Sequence, residues 1–547
     1  MVVPLLLLGT LGVQLFAEPQ LRSIEAKASW LAQRRRSVVT GAALLSIVGR
    51  LLLLPLAPVP IPSIHDEYSQ LLACDTFAHG RLANPHHPMW LFFDTFHVLQ
   101  HPTYSSIFPP ATGAVLALGQ LLGHPWIGVL LSAALMSSAI AWALLGWLPA
   151  RWALLGSLLA ILRVDWMSYW VDSYWGGTVA AIGGALVIGA LPRLARTPTV
   201  MNSLLMGAGA ALLANSRPVE GFLFCLGVGA IFYFRLFPRR SGSLQEHGKR
   251  SWLRRFLPAA VVLLCAVAFM GYYNWRVTGS ALLFPHVLYH REHWRLGIFV
   301  WQKIKPPLVY DNGQFTQFFT AWNYTEFVQR SWIRRLVTKS HNGWNFFLGP
   351  ACSIPLVMLP WLLRDRRTRS LCFLTLWCGV WALLVIWFEP HYIAGLTACL
   401  FVLLVQLIRH LRQWKFKGWP IGIFCSRLIV ILALARVVTP GAEAVHPPVH
   451  GWNLARARIV AELRRLPRKS LVIVRYAPDH DPAHEWVYNA ADIDGAKVIW
   501  AREIPGRDIK PLLDYFPDRQ IWVVNADQIP VNIQPYIWNT GVRTTSP

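Results

Sequence analysis

Long apolar runs alternate with short polar or basic segments along most of the chain. A hydrocarbon core about 30 Å thick is crossed by about 20 apolar helical residues. Runs approaching that length fall at 38–59, 126–148, 152–164, 177–192, 199–215, 219–236, 257–275, 347–363, 370–387, 392–408 and 420–438. They predict a mainly α protein, a polytopic transmembrane helix bundle of about 11–13 spans. The apolar stretch 111–123 opens on Pro109-Pro110, a helix start. It is too short to span, and a span there would break the alternation of sides, so a helix dipping into the outer leaflet is expected. After Val438 the pattern changes to a helix over 453–466, strands over Leu471–Val474, Val498–Ala501 and Ile521–Val524, and a helix over Ile509–Tyr515. The expected organisation is an apolar and basic segment 1–37, a membrane domain 38–439 with outer loops 60–110 and 276–346, and a small extracytoplasmic α/β tail 440–547. Residues 1–16 are apolar, with no basic region before them and no small-residue cleavage site. They read as an extra helix or a misassigned start, and not as a cleaved signal peptide.

Composition agrees with this pattern. Only 14% of the 547 residues are charged against 54% hydrophobic, whereas a soluble domain carries about 25% charged residues. The formal charge of +24 would suggest nucleic acid if it lay on one soluble face. Instead the basic residues cluster between apolar runs: Arg34 to Arg36, Arg193 with Arg196, Arg239 to Arg255, Arg364 to Arg369, and Arg409 to Lys417. Short basic loops mark the cytoplasmic side, and with alternating spans every one of these clusters falls inside. The expected setting is a bacterial inner membrane with the tail outside and no nucleic-acid partner. The eight cysteines show neither a disulfide framework nor zinc spacing.

The same alternation puts the acidic and aromatic segments outside. Ile64-His65-Asp66-Glu67-Tyr68 follows the first span closely. Adjacent carboxylates there could deprotonate an acceptor or hold a divalent cation, or form a solvated pair. Asp172-Ser173-Tyr174-Trp175-Gly176-Gly177 offers rings on which a sugar could stack, or an interfacial belt. Arg217 and Glu220 lie at the outer ends of neighbouring spans, where ionisable groups are costly unless paired or functional. The loop carrying Arg276, His290 and Arg291 is cationic outside the membrane, against the usual bias, which suits a phosphate partner or a solvated cover. Glu389-Pro390-His391-Tyr392 fills a tight outer turn, with His391 a phosphate donor or a helix cap.

An acidic pair just after the first span, a loop running through His79 to Pro85, and Ser106-Ile107-Phe108-Pro109-Pro110 re-entering the membrane together resemble the GT-C glycosyltransferases. The similarity is greatest to the protein O-mannosyltransferase and aminoarabinose lipid A transferase group and its bacterial lipopolysaccharide-sugar relatives. It covers roughly residues 38–440. It implies a polyprenyl-phosphate sugar donor, a lipid, glycan or protein acceptor on the outer face, Asp66 as general base or acceptor-orienting carboxylate, and Glu67 as a supporting or metal-binding group. One departure is Phe108, where the aminoarabinose branch has a phosphate-holding Lys. The phosphate partner is therefore sought among Arg217, Arg276, Arg291 and His391, and the sugar or acceptor contacts among His65, Tyr174, Trp175, Glu220 and Tyr392. No nucleotide-binding motif is present, which agrees with a lipid-linked donor, and the tail carries no recognisable chemistry. A transporter or flippase would show mid-span acids and inverted repeats, and neither is visible. A ligase for whole lipid-linked glycans and a non-catalytic scaffold are the other readings.

Overall fold

The computed structural model describes residues 18–236, 247–306, 308–438 and 451–536. The first sixteen residues, part of the basic cluster 239–255 and the ends of the tail lie outside these. An amphipathic helix, α1 (Glu18–Gln33), precedes the bundle. Then come α2 (Arg35–Leu52), α3 (His65–Ala78), α4 (Pro110–Leu121), α5 (Pro125–Trp147), α6 (Ala150–Ala160), α7 (Thr178–Arg196), α8 (Val200–Ser216), α9 (Pro218–Leu236), α10 (His247–Thr278), α11 (Pro285–His293), α12 (Trp332–Phe347), α13 (Arg369–Leu384), α14 (Thr397–Arg412) and α15 (Ile421–Val438).

Local chemistry sets several boundaries. The Thr199 side chain accepts from the Asn202 amide to start α8, and His124 with Pro125 starts α5. Helix lies at each of the eleven apolar runs, and Pro110 opens α4 where the dipping helix was expected. Among the described residues, Pro125–Trp147, Thr178–Arg196, Arg255–Thr278 and Pro390–Arg412 are each long and apolar enough to cross a membrane. Others, such as Val200–Ser216 and Arg369–Leu384, are equally apolar in character but shorter. The run 347–363 departs most from a simple span. After Phe347 the chain turns by 93° into Gly349–Arg364, and the two halves are long and apolar enough to cross a membrane only together. Leu348 and Gly349, with φ +59°, make that corner.

The bundle core is built from α5, α7 and α14 around Ile140, Ala181, Ile188 and Phe401. Close packing reaches its limit where α7 crosses the turn Pro390–Leu396, a short 3₁₀ segment leading into α14. A Cβ on Gly184 would lie 1.9 Å from the Gly395 carbonyl oxygen, so only glycine permits this crossing. That contact fixes the height of His391 and Tyr392 against the bundle.

The loop between α3 and α4 holds a two-stranded ladder, β1 (Val98–Leu99) with β2 (Ser105–Ser106). The C-terminal region forms a four-stranded sheet in the order β4-β3-β5-β6, from β3 (Ser470–Arg475), β4 (Val498–Arg502), β5 (Gln520–Asn525) and β6 (Ile533–Pro535). The first three strands are parallel and β6 is antiparallel. Helix α16 (Trp452–Arg465) packs on this sheet through Ile459 and Leu463. Strand β6 was not expected, because Ile533-Gln534-Pro535 is too short and too polar to signal a strand. Tyr68, Leu72, Phe92 and Phe93 of the first loop share one hydrophobic core with Leu471, Ile473, Tyr488 and Ile499 of the tail.

Candidate functional site

The site begins at the first turn of α3. The Glu67 carboxylate, on a residue 2% exposed, accepts from the backbone amides of Ser63 (2.8 Å), Ile64 (3.3 Å) and Tyr174 (3.0 Å). It caps its own helix and ties the 170s turn to it. Burial pushes its pKa up, and these amide hydrogen bonds oppose that rise. Successive residues on a helix point about 100° apart, so with Glu67 turned inward Asp66 faces an open cavity of about 440 Å³.

His97 stands beside Asp66, its Nδ1 3.6 Å from Oδ2, within ion-pair reach but longer than a hydrogen bond. It is held from both sides of its backbone: its amide donates to Tyr289 Oη (2.9 Å) and its carbonyl accepts from Ser69 Oγ (2.6 Å). Its φ of 58° is in the left-handed region, an uncommon conformation for a residue with a Cβ. Burial works to raise the Asp66 pKa, but His97 first, then His65 and Arg217, outweigh it and hold the carboxyl below its ordinary value.

The opposite wall comes from the outer ends of the bundle. Arg217, between α8 and α9, places its guanidinium 4.7 Å from the Tyr392 ring centroid. The Arg217 to Glu220 ion pair is not formed, and both residues line the cavity. His391 is 1% exposed and bonds through Nδ1 to Tyr169 Oη (3.0 Å), which also accepts the His391 amide (3.1 Å). With the Tyr169 proton assigned to Nδ1, the proton of the neutral ring sits on Nε2, which has no partner. The Trp175 ring lies edge-on to His391 at 4.6 Å, and Trp294 and Trp387 extend the aromatic lining. Burial raises the Glu389 pKa, as does Asp66 across the cavity, against Arg217.

The structure thus brings Asp66, Arg217, Glu220, Trp175, His391 and Tyr392 to one cavity, and leaves six other residues singled out in the sequence out of its lining. Glu67 is taken up by amides. Tyr174 is buried and donates to the Pro60 carbonyl. His65 is buried, stacked on Phe96 at 4.4 Å, and donates to the Pro482 carbonyl. Arg276 is exposed and bonds to Tyr272, and Arg291 is exposed. Asp172 is bound to the fully buried Arg50 at 2.5 Å. The cationic outer loop supplies imidazoles in place of guanidiniums. His286 and His290 line the cavity and are pushed down to about 4, by burial first, then for His286 by His290 and for His290 by Lys305. His97 and His286 were not singled out in the sequence, where neither sits in a motif. The one trace of His97 is that it lies between Asp66 and the Pro-Pro re-entry.

A divalent cation on Asp66 and Glu67 does not fit this arrangement. The two carboxylates diverge, Glu67 is saturated by backbone donors, and among the described residues no group of three His, Cys, Asp or Glu side chains converges. No step is therefore derived through a metal.

An apolar helix bundle, a carboxylate at the start of α3, a short apolar helix opening at Pro110 and a small C-terminal sheet together make a fold of the GT-C type. The chain is similar to the crystal structure of ArnT from Cupriavidus metallidurans bound to undecaprenyl phosphate, at 14% identity over 89% of this chain and 93% of that one, with a TM-score of 0.50. It also aligns with the apo state of the same protein (14%, 88% and 92%, TM-score 0.47). A further match is the Archaeoglobus fulgidus oligosaccharyltransferase AglB in complex with an inhibitory peptide and a dolichol-phosphate (10%, 90% and 69%, TM-score 0.46). No protein-family model and no curated protein matches the sequence. At these identities the likeness establishes the fold, and activity has to be argued from the site.

Proposed function

We propose that this chain is an integral glycosyltransferase of a bacterial inner membrane, moving a sugar from a polyprenyl-phosphate donor to a lipid, glycan or protein acceptor on the extracytoplasmic face. The observation that carries the reading is the convergence of Asp66, Arg217 and His391 on one cavity between the first outer helix and the ends of the bundle. A narrow apolar groove lined by Leu213, Leu223, Phe224 and Trp381 runs on from Arg217 and Tyr392. It suits an isoprenoid chain whose phosphate stays at the arginine. The undecaprenyl phosphate bound to ArnT supports the same class of donor.

The chemistry follows from charge development. The acceptor hydroxyl or amine attacks the anomeric carbon, its proton passes to Asp66, and the bond to the phosphate oxygen breaks with its electron pair leaving on the polyprenyl phosphate. Arg217 and the Nε2 proton of His391 meet the growing negative charge. A depressed Asp66 pKa keeps the base ionised at neutral pH, and its ring-lined surroundings limit access of water as a competing acceptor. Glu220 and the rings of Trp175 and Tyr392 would orient the sugar. Orientation in the membrane is assigned from the basic clusters, expected on the cytoplasmic side.

The test is transfer in proteoliposomes from a panel of radiolabelled polyprenyl-phosphate sugars, comparing the native chain with Asp66→Asn at matched expression. Transfer lost in the variant with donor binding retained supports the assignment. A variant as active as the native chain would overturn it, and a native chain inert to the whole panel would favour a transporter or a whole-glycan ligase.

A further inference from the structure

Away from the cavity, one pair of side chains carries charge that its surroundings leave unmatched. Residues Ile161–Asp165 form a π-helical turn at the outer end of α6, and Arg163 on this turn is only 7% exposed. Its Nε has no hydrogen-bond partner, and among the described residues it makes no ion pair with a carboxylate. Arg436, in the last turn of α15, sets Nη1 3.5 Å from the Arg163 carbonyl oxygen. The third wall is Gly349, where an added Cβ would lie 2.6 Å from Arg163 Nη2. The missing Cβ at this glycine is what leaves the guanidinium its room.

Arg436 brings a second positive charge against the Arg163 backbone, and arginine does not escape by losing its proton. A buried cation without a partner is held at a large cost unless an anion joins it. The planar guanidinium fork matches phosphate oxygens in two-point geometry, which makes phosphate the fitting anion. The way in is on the Arg436 side, because that residue is partly exposed in the last turn of an apolar helix, whereas Arg163 is enclosed. π-Helical turns are rare and concentrate at functional sites. We propose that Arg163 and Arg436 form a binding site for a phosphate group, carried by a membrane lipid headgroup, separate from the Asp66 cavity. The bland alternative is that Arg436 simply extends towards water at the membrane boundary, which would select no particular anion.

The proposal is tested on the purified full chain in detergent, by native mass spectrometry and thermal unfolding with phosphatidylglycerol, uncharged diacylglycerol or inorganic phosphate added. The native chain is expected to retain phosphatidylglycerol and to be stabilised by it and not by diacylglycerol. Arg436→Gln should weaken that binding by about tenfold or more, Arg436→Lys should weaken it less, and Arg458→Gln on the tail should leave it unchanged. Stabilisation by inorganic phosphate equal to that by the lipid would support the phosphate site and assign it to a free anion. Equal stabilisation of the native chain by diacylglycerol, or equal phosphatidylglycerol binding by Arg436→Gln and native protein, would overturn the proposal. The native-chain comparison stands even if the glutamine variant does not fold.

Discussion

At the residue scale the acidic pair divides its labour. Asp66 and Glu67 are adjacent in sequence, but the amides of Ser63, Ile64 and Tyr174 claim Glu67 and so aim Asp66 at the cavity. Asp66→Asn should lower kcat by about 10²–10⁴, the usual worth of a positioned base, with a smaller effect on donor affinity in a binding assay. Because His97 helps hold the Asp66 carboxyl below its ordinary value, the acid limb of the rate profile should lie below about pH 3.9, the free aspartate value. His97→Gln removes that neighbour, so the limb should move to higher pH; an unmoved limb would remove His97 from this role. Glu67→Ala should strand backbone donors at roughly 1–3 kcal/mol each and lower the Tm. Glu67→Gln should lower it less and leave kcat within a few-fold of native. A collapse of kcat at unchanged Tm would instead return Glu67 to the chemistry. The dipeptide was visible in the sequence, but which carboxylate faces the substrate depends on where α3 starts and on an amide 107 residues away. His97 was illegible for a related reason, since a left-handed backbone leaves no periodic trace.

At the scale of elements, the apolar runs located the bundle helices because a lipid-facing helix has to be apolar along its whole length, and that signal needs no partner. What the runs could not show is how helices approach one another. The contact between Gly184 on α7 and Gly395 before α14 sets His391 and Tyr392 in place. Gly184→Ala should therefore disturb the cavity wall, seen as loss of transfer and a lower Tm. Gly41→Ala, with nothing within 4 Å of its new methyl group, should be neutral or stabilising by up to about 1 kcal/mol. The run 347–363 was read as a span by itself, with the more polar 332–346 left to a loop, whereas the two meet as helices at a corner that depends on the backbone angle at Gly349.

On the scale of the whole molecule, the tail's helices and parallel strands followed from local pattern, but its union with the first loop did not, because core sharing between distant segments has no sequence signature. Tyr488 stacks on Tyr68 at 4.3 Å, two residues from Asp66, and Arg456 lies over the same Tyr68 ring. Tyr488→Ala should cost about 3 kcal/mol at that seam and speed release of the tail in limited proteolysis, with transfer falling in parallel. Intact digestion kinetics would show that the seam is held elsewhere. The partners that complete α3 also arrive late. His65 bonds to the Pro482 carbonyl 417 positions onward, and Asp75 accepts from the Ala491 amide 416 positions onward. At a synthesis rate of 5–20 residues per second, a nascent chain displays its first loop without this cover for roughly 20–80 s. Chains abandoned by the ribosome before the tail emerges would carry the base on a helix that lacks these two braces, so completion of synthesis acts as the licence for α3 to be fixed in place.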